Sequence, residues 1–190
     1  MNLYRVVIVD RNYSQHVFYR VEDKKEININ DHPELKNINP LEHKMFMDDI
    51  FTIQPDSLII NPVKSAVRSC NQIAGVLMLE NNKTFGRTEN KKRLLYKCVP
   101  DDIHLPAFLV PYDVKVGFSK VQKNKFVTFR FDNWIDKHPR GILTETIGDV
   151  DSLDCFFEYQ LYCKSLHISL NEFTKKTTEV LRKKSQAEYI

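Results

Sequence analysis

The 190-residue sequence lacks several features that mark familiar protein classes. It has only five glycines and one tryptophan, and neither a GxGxxG nor a Walker-type phosphate loop occurs. The longest apolar run covers residues 73–79, whereas a membrane-spanning helix needs roughly 18 residues, so we expect no membrane insertion. The opening MNLYRVVIVDR places a short apolar run before charge, which argues against a secretory signal peptide.

Metal-binding and disulfide patterns are also missing. The four cysteines form no C-x-x-C pair, and this spacing favours free, buried thiols in a reducing compartment, so we expect an intracellular protein. The six histidines are scattered without partners at metal-ligand spacing. We therefore predict no metal, no cofactor and no small-molecule substrate.

The net charge of +3 is too small to identify a nucleic-acid-binding protein by itself. The distribution of the charge is more informative, because basic clusters occur at residues 91–93, 120–125, 175–176 and 182–184. Charge clusters often form nothing more than solvated faces, so both interpretations stay open.

Short apolar and aromatic runs predict a protein that is mainly β. Residues 3–9 and 16–21 predict two strands, 28–41 a long loop, and 43–53 a short helix that runs into a strand. Beyond residue 56, short strands recur between turns, and this spacing is typical of small barrels or sandwiches. The strands are predicted at 57–60, 72–79, 84–87, 93–99, 108–112, 115–118 and 125–131.

Two of these predicted strands also indicate which residues pack in the interior. In QIAGVLML, Gly75 predicts either a β-bulge or a close approach of two backbones. The KFVTFRF strand alternates clearly, with Val127, Phe129 and Phe131 on the face expected to form core.

The last 40 residues change to a helical period. Ser152 suits a helix N-cap before a helix over 152–165, and Ser169 with Glu172 forms a capping-box pattern before a second helix over 170–184. Basic residues at the end of the second helix suit its dipole.

The segment from Trp134 to Phe173 resembles the ribonuclease II, ribonuclease R and exosome exoribonuclease family. The matching positions, in order, are Trp134, Pro139, Gly141, Ile147-Gly148, the acidic loop from Asp149 to Asp154, Glu158 and Phe173. Upstream, VPDDIHLPAFLV resembles the junction between that family's two cold-shock-type barrels, and IAGVLML resembles an entry strand of the first barrel. The resemblance extends over roughly residues 57–184.

This resemblance implies one or two small OB-like β-barrels with C-terminal helices, an α+β arrangement that is mainly β. We predict an N-terminal extension at 1–56, a first barrel at 57–102, a second barrel at 103–150 and a helical segment at 151–190. The family's magnesium-binding aspartate cluster lies in a further domain, and Asp48-Asp49 and Asp101-Asp102 lack the spaced aspartates that would complete such a site. We therefore predict a chain that is not an enzyme.

OB-type barrels bind single strands through basic grooves and aromatic platforms, which gives the first functional hypothesis. Candidate platforms are Phe85, Tyr96 and Phe126, although aromatic residues on strands more often belong to the core. The candidate phosphate contacts are Lys83, Arg87, Lys91, Lys92, Arg93, Lys120, Lys123 and Lys125.

The first hypothesis is therefore a non-catalytic RNA-binding or RNA-guiding module whose partners are single-stranded RNA and a catalytic exoribonuclease domain. The alternative is a structural protein of a large assembly, a virion included, that keeps the barrel scaffold without RNA binding. RNA affinity that falls steeply with salt would favour the first, and stoichiometric copurification with an assembly would favour the second.

Overall fold

The computed structural model describes residues 2–54, 59–90, 92–114, 122–166 and 170–183, and it is mainly β as predicted. The strands are β1 (Tyr4–Ile8), β2 (His16–Arg20), β3 (Ile50–Ile53), β4 (Ile60–Lys64), β5 (Ile73–Leu77), β6 (Leu94–Pro100), β7 (Phe108–Tyr112), β8 (Lys125–Asn133) and β9 (Arg140–Asp149). The helices are α1 (Pro33–Lys36), α2 (Ala66–Ser69), α3 (Leu153–Cys163) and α4 (Leu170–Lys183), with 3-10 turns at Ile29–Asp31 and Glu80–Asn82.

The first four strands form an antiparallel sheet in the order β2-β1-β3-β4. Strand β1 buries Tyr4, Val6 and Ile8, the alternate residues that a strand directs to one face. The sheet continues to Lys64, past the predicted boundary at residue 56, so the predicted extension is part of a larger folded unit.

The helix predicted within 43–53 is wrong. Lys44 and Asp48 both have positive φ, at 57° and 61°, which interrupts any helix. In addition, Asp49 Oδ2 accepts a hydrogen bond from the Phe46 N–H at 2.9 Å. Such a side-chain bond competes with helical hydrogen bonding, and turns replace the helix before β3.

The remaining five strands close into one barrel in the order β5-β6-β7-β9-β8. Residues 57–102 supply β5 and β6 to this barrel, and residues 103–150 supply β7, β8 and β9. Neither range has enough strands to close a sheet on itself, so the two predicted barrels are corrected to one. The predicted strand at 115–118 lies outside the described residues.

The barrel interior is filled by the residues that the alternation in β8 predicted. Val127 and Phe129 are completely buried, and the Phe129 ring lies 4.9 Å from that of Phe108. A Cβ added to Gly75 would stand 2.9 Å from the Val99 carbonyl oxygen and 3.0 Å from the Phe129 ring. Gly75 therefore marks a close approach, one of its two predicted roles.

One end of the barrel, which we call the covered end, is closed by the turns of the N-terminal sheet. Trp134 follows β8 there and is buried against Phe46, with ring centroids 4.8 Å apart, and the Phe46 ring also stacks on Phe108 at 5.8 Å. Arg11 donates hydrogen bonds to the carbonyls of Pro100 at 2.7 Å and Leu105 at 3.1 Å. The sheet and the barrel thus share one continuous core.

Helix α3 covers the outside of β8. The Ser152 hydroxyl accepts a hydrogen bond from the Cys155 N–H at 3.4 Å, which confirms the predicted N-cap. The helix buries Tyr159 and Tyr162 but leaves Leu153 and Phe157 exposed. Helix α4 is also present, and Phe173 on it is exposed.

Across the described ranges, no helix combines the length and the apolar character that crossing a bilayer requires.

Candidate nucleic-acid interface

The predicted binding residues lie on three connections of the barrel, and we call the region where these connections meet the loop end. It consists of the described residues of the β5–β6 connection (78–90 and 92–93), the segment that leads into β8 (122–125) and the turn from the end of β9 into α3 (149–152). The pairing register brings these segments together, because Leu77 pairs with Lys125 across β5 and β8, and Lys125 pairs with Asp149 across β8 and β9. The segments that hold Lys83 and Lys125 therefore converge on one end of the barrel.

Asn124 joins the three segments directly. Its side-chain Oδ1 accepts hydrogen bonds from the backbone N–H groups of Leu79 at 2.8 Å and Glu80 at 3.0 Å. Its carbonyl accepts a third from the Val150 N–H at 3.1 Å. Asn124 is buried, so these bonds are shielded from water and fix the geometry of the loop end.

The β5–β6 connection folds back on β6 as an irregular hairpin. The Phe85 N–H donates to the Leu95 carbonyl at 2.8 Å, and the Thr88 N–H donates to the Arg93 carbonyl at 2.9 Å. The strand predicted at 84–87 is therefore shortened to an isolated bridge, in which residue 87 pairs with residue 94.

Phe85 and Lys83 lie side by side on this hairpin. Phe85 is half-buried, and the Lys83 ammonium lies 5.4 Å from its ring centroid. The ammonium lies over the ring in a cation–π contact, so a base that stacks on this face has to displace it.

The predicted phosphate contacts fall into three groups. Lys83, Arg87 and Lys92 are exposed at the loop end. Arg93, Lys123 and Lys125 are also there, and each forms an ion pair with a carboxylate of that end. Lys91 and Lys120 lie outside the described residues.

These ion pairs partly neutralise the positive charge of the loop end. Arg93 Nε lies 2.9 Å from Asp113, Lys123 Nζ donates to Asp151 at 2.6 Å, and Lys125 contacts Asp149. The hydrogen bond from Lys123 lowers the pKa of Asp151, and the same bond raises the pKa of Lys123. Water and salt screen the exposed Arg93 and Lys123 pairs, whereas the Lys125 side chain is partly buried.

Two of the three predicted aromatic platforms belong to the core. Phe126 is buried, and its ring stacks on Tyr159 at 4.3 Å, while Tyr96 is buried beside Tyr112. Phe126 was ambiguous in the sequence because its cover comes from α3, more than twenty residues further along the chain. Phe85 is the platform that remains partly accessible.

A cleft of about 430 Å³ lies beside the hairpin tip, lined by Thr88, Asn90, Asn133 and Arg140 among others. Arg140 forms ion pairs with Glu89 at 3.6 Å and Asp136 at 2.8 Å, which ties the hairpin tip to the start of β9. Sequence reasoning missed both Arg140 and Asn124, because their roles arise from contacts between distant segments.

The acidic loop before α3 serves the fold as expected for a helix N-terminus. Asp149 and Asp151 pair with lysines, and Asp154 lies in the first turn of α3, where a carboxylate favours the helix dipole. Within the part of the chain that the structure describes, no group of three or more His, Cys, Asp or Glu side chains is arranged to hold a metal ion.

No protein-family model matches the sequence, and the curated proteins contain no significant match. Kinship with exoribonuclease barrels therefore stays a prediction from the motif residues.

Proposed function

We propose that this chain is a non-catalytic module that binds single-stranded RNA at the loop end of its barrel. The observation that carries the proposal is the convergence of the hairpin with residues 122–125, held together by Asn124. Phe85 supplies a stacking surface, and Lys83, Arg87 and Lys92 supply cations for the backbone. Stacking combined with a basic surface binds single strands with little sequence preference.

We also propose that the module functions inside the cell. All four cysteines are free thiols, which suits a reducing intracellular compartment. A catalytic exoribonuclease domain is the proposed protein partner, in keeping with the resemblance of the segment from Trp134 to Phe173.

The experiment is a fluorescence-anisotropy titration with a labelled single-stranded RNA of about 12 nucleotides, repeated from roughly 0.05 to 0.2 M salt. The wild type should bind with an affinity that falls steeply with salt. The double variant Lys83→Ala/Arg87→Ala should bind more weakly, with a salt slope smaller by about 0.7 for each lost phosphate contact. Phe85→Ala should lose about 1–3 kcal/mol of binding free energy through lost base stacking.

The matched control is Lys25→Ala/Lys36→Ala, which removes the same charge from exposed positions in the N-terminal part of the chain. This control should bind RNA like the wild type. Equal losses in both double variants would mean that net charge alone drives binding, and would contradict the loop-end site. Magnesium-dependent RNA degradation by the purified chain would contradict the non-catalytic role.

A second function, assembly within a larger protein complex, is favoured by a different observation. Helix α3 exposes Leu153, Phe156 and Phe157, and helix α4 exposes Phe173 and Leu181. Large exposed apolar side chains that cluster on helices are typical of contact surfaces between proteins. Stoichiometric copurification with an assembly, without RNA affinity at near-physiological salt, would establish this function in place of RNA binding.

A further inference from the structure

Both C-terminal helices have exposed apolar side chains along one face. The α3 stripe consists of Leu153, Phe156 and Phe157, and the α4 stripe consists of Phe173, Val180 and Leu181. Spacings of three, four, seven and eight residues keep side chains on one face of a helix. Leu153 is 65% exposed and Leu181 is 58% exposed, so the two stripes do not cover each other within one chain.

The two helices carry opposite net charge. Helix α3 contains Asp154 and Glu158 but no lysine or arginine, which gives a net charge of −2. Helix α4 contains four basic and two acidic residues, which gives a net charge of +2. Asp154 at the start of α3 and Arg182 near the end of α4 are both exposed, whereas Glu158 is buried. Apolar faces that lie beside opposite charges are complementary to each other.

This combination of charge and apolar surface selects the occupant of the two stripes. A membrane with anionic lipids would attract the basic α4 but would repel Asp154 beside the α3 stripe. A second copy of the chain offers a basic helix to α3 and an acidic helix to α4 at the same time. Because a twofold axis makes the two contacts identical, a dimer covers all four stripes.

We propose that the chain forms a symmetric dimer in which α4 of each copy packs antiparallel on α3 of the other. Antiparallel packing brings Arg182 beside Asp154. It also places Leu181 over Leu153. Parallel packing would instead place Arg182 beside Lys164, a like charge at the C-cap of α3. Antiparallel helix dipoles attract each other, whereas parallel dipoles repel. The dimer does not depend on RNA binding at the loop end.

The size of the contact sets the strength of the dimer. Helix α3 has 11 residues and α4 has 14. At a rise of about 1.5 Å per residue, each helix pair makes contact over roughly 16 Å, or about three turns. Two contacts of this length form a smaller interface than those of obligate dimers. We therefore expect a Kd of roughly 10–100 µM, so that the chain is mainly monomeric at about 1 µM.

The test is sedimentation velocity of the full chain from about 1 to 500 µM, at roughly 0.1 M salt. The weight-average mass should rise with concentration from 22.4 kDa toward twice that value. Phe157→Ser and Leu181→Ser should each weaken the dimer by about tenfold or more, because each places a hydroxyl in an apolar contact. The matched control is Val63→Ser on β4, whose side chain is as exposed as that of Leu181 and which should dimerise like the wild type.

Charge reversal tests the antiparallel pairing of the helices. Asp154→Arg and Arg182→Asp should each weaken the dimer by about threefold or more, because each places like charges side by side. The double variant Asp154→Arg/Arg182→Asp should restore the affinity to within about twofold of the wild type. A merely structural effect of one substitution would not be reversed by the other.

A chain that stays monomeric at every concentration would overturn the proposal, and so would wild-type dimerisation in Phe157→Ser and Leu181→Ser. A double charge variant that dimerises no better than the single variants would overturn the antiparallel pairing. Cosedimentation of a monomeric chain with vesicles of phosphatidylserine and phosphatidylcholine would identify a membrane as the occupant instead. All of the substituted side chains are exposed, and circular dichroism reports whether the variants fold. If a variant does not fold, the mass of the wild-type chain across the concentration range decides the question.

Discussion

The covered end and the loop end belong to the same five strands but are completed by different chemistry. At the covered end, Trp134, Phe46 and Phe108 pack ring against ring beneath the N-terminal sheet. At the loop end, buried Asn124 joins three segments by hydrogen bonds, and exposed lysines and arginines lie along the β5–β6 connection. Apolar packing thus seals one end, while polar contacts shape the other.

This contrast separates stability from binding. Apolar burial supplies most of the free energy of folding, and the covered end holds much of the shared core. Residues at the loop end are more exposed, and their surface ion pairs contribute little to stability. Substitutions at the two ends should therefore have opposite signatures in stability and in RNA affinity.

The largest expected effect is at the covered end. Phe46→Ala removes a completely buried ring that contacts Phe108, Phe131 and Trp134, and should lower the free energy of unfolding by about 3–5 kcal/mol. Chemical denaturation measures this loss. The control Phe173→Ala removes an exposed ring from α4 and should change stability by less than about 0.5 kcal/mol. Similar losses in the two variants would show that Phe46 is not a core residue.

A smaller effect is expected from Asn124, whose hydrogen bonds connect the segments of the loop end. Asn124→Ala leaves the Leu79 and Glu80 N–H groups without their acceptor, and should cost about 1–3 kcal/mol. The variant should also weaken RNA binding, because the hairpin and residues 122–125 lose their connection. Asn37→Ala, at an exposed position in the N-terminal part of the chain, should alter neither quantity. Wild-type RNA affinity in Asn124→Ala would show that the hydrogen bonds of Asn124 are not needed for RNA binding.

The smallest expected effect depends on pH and concerns Asp49. Burial raises the pKa of Asp49 in the folded chain, so the folded state binds its proton more tightly than the unfolded state does. Its contribution to stability is therefore lost as pH rises from the unfolded pKa through the raised folded pKa. Asp49→Asn removes this loss and should be more stable than the wild type at neutral pH, with the difference shrinking in acid. Thermal melts across this range measure it, and a difference that does not change with pH would contradict the assignment.

Local signals in the sequence predicted several elements of this fold. The alternation in KFVTFRF identified Val127 and Phe129 as core, and Ser152 marked the start of α3. Gly75 was identified as a position of close approach or a bulge, and the packing of Phe129 against it shows why a side chain does not fit. These features depend on neighbours in sequence or on the period of a strand.

Contacts between distant segments were not predictable in this way. Barrel closure depends on a parallel pairing of β7 with β9, at Leu109 and Arg140, with β8 between them in sequence. Lys123 and Asp151 are 28 residues apart, so their ion pair has no local signature. Trp134 is covered by Phe46, which lies in the N-terminal segment that was predicted to be a separate extension. The sequence indicated which basic and aromatic residues belong to the candidate site, but not which carboxylates or core residues they contact.

The most direct test of the loop-end site is a titration of isotopically labelled chain with single-stranded RNA, followed by backbone amide NMR. We predict that shifts concentrate in residues 79–93 and 122–125 and spare Phe46, Leu105 and Trp134 at the covered end. Shifts concentrated at the covered end, or on the exposed faces of α3 and α4, would contradict it.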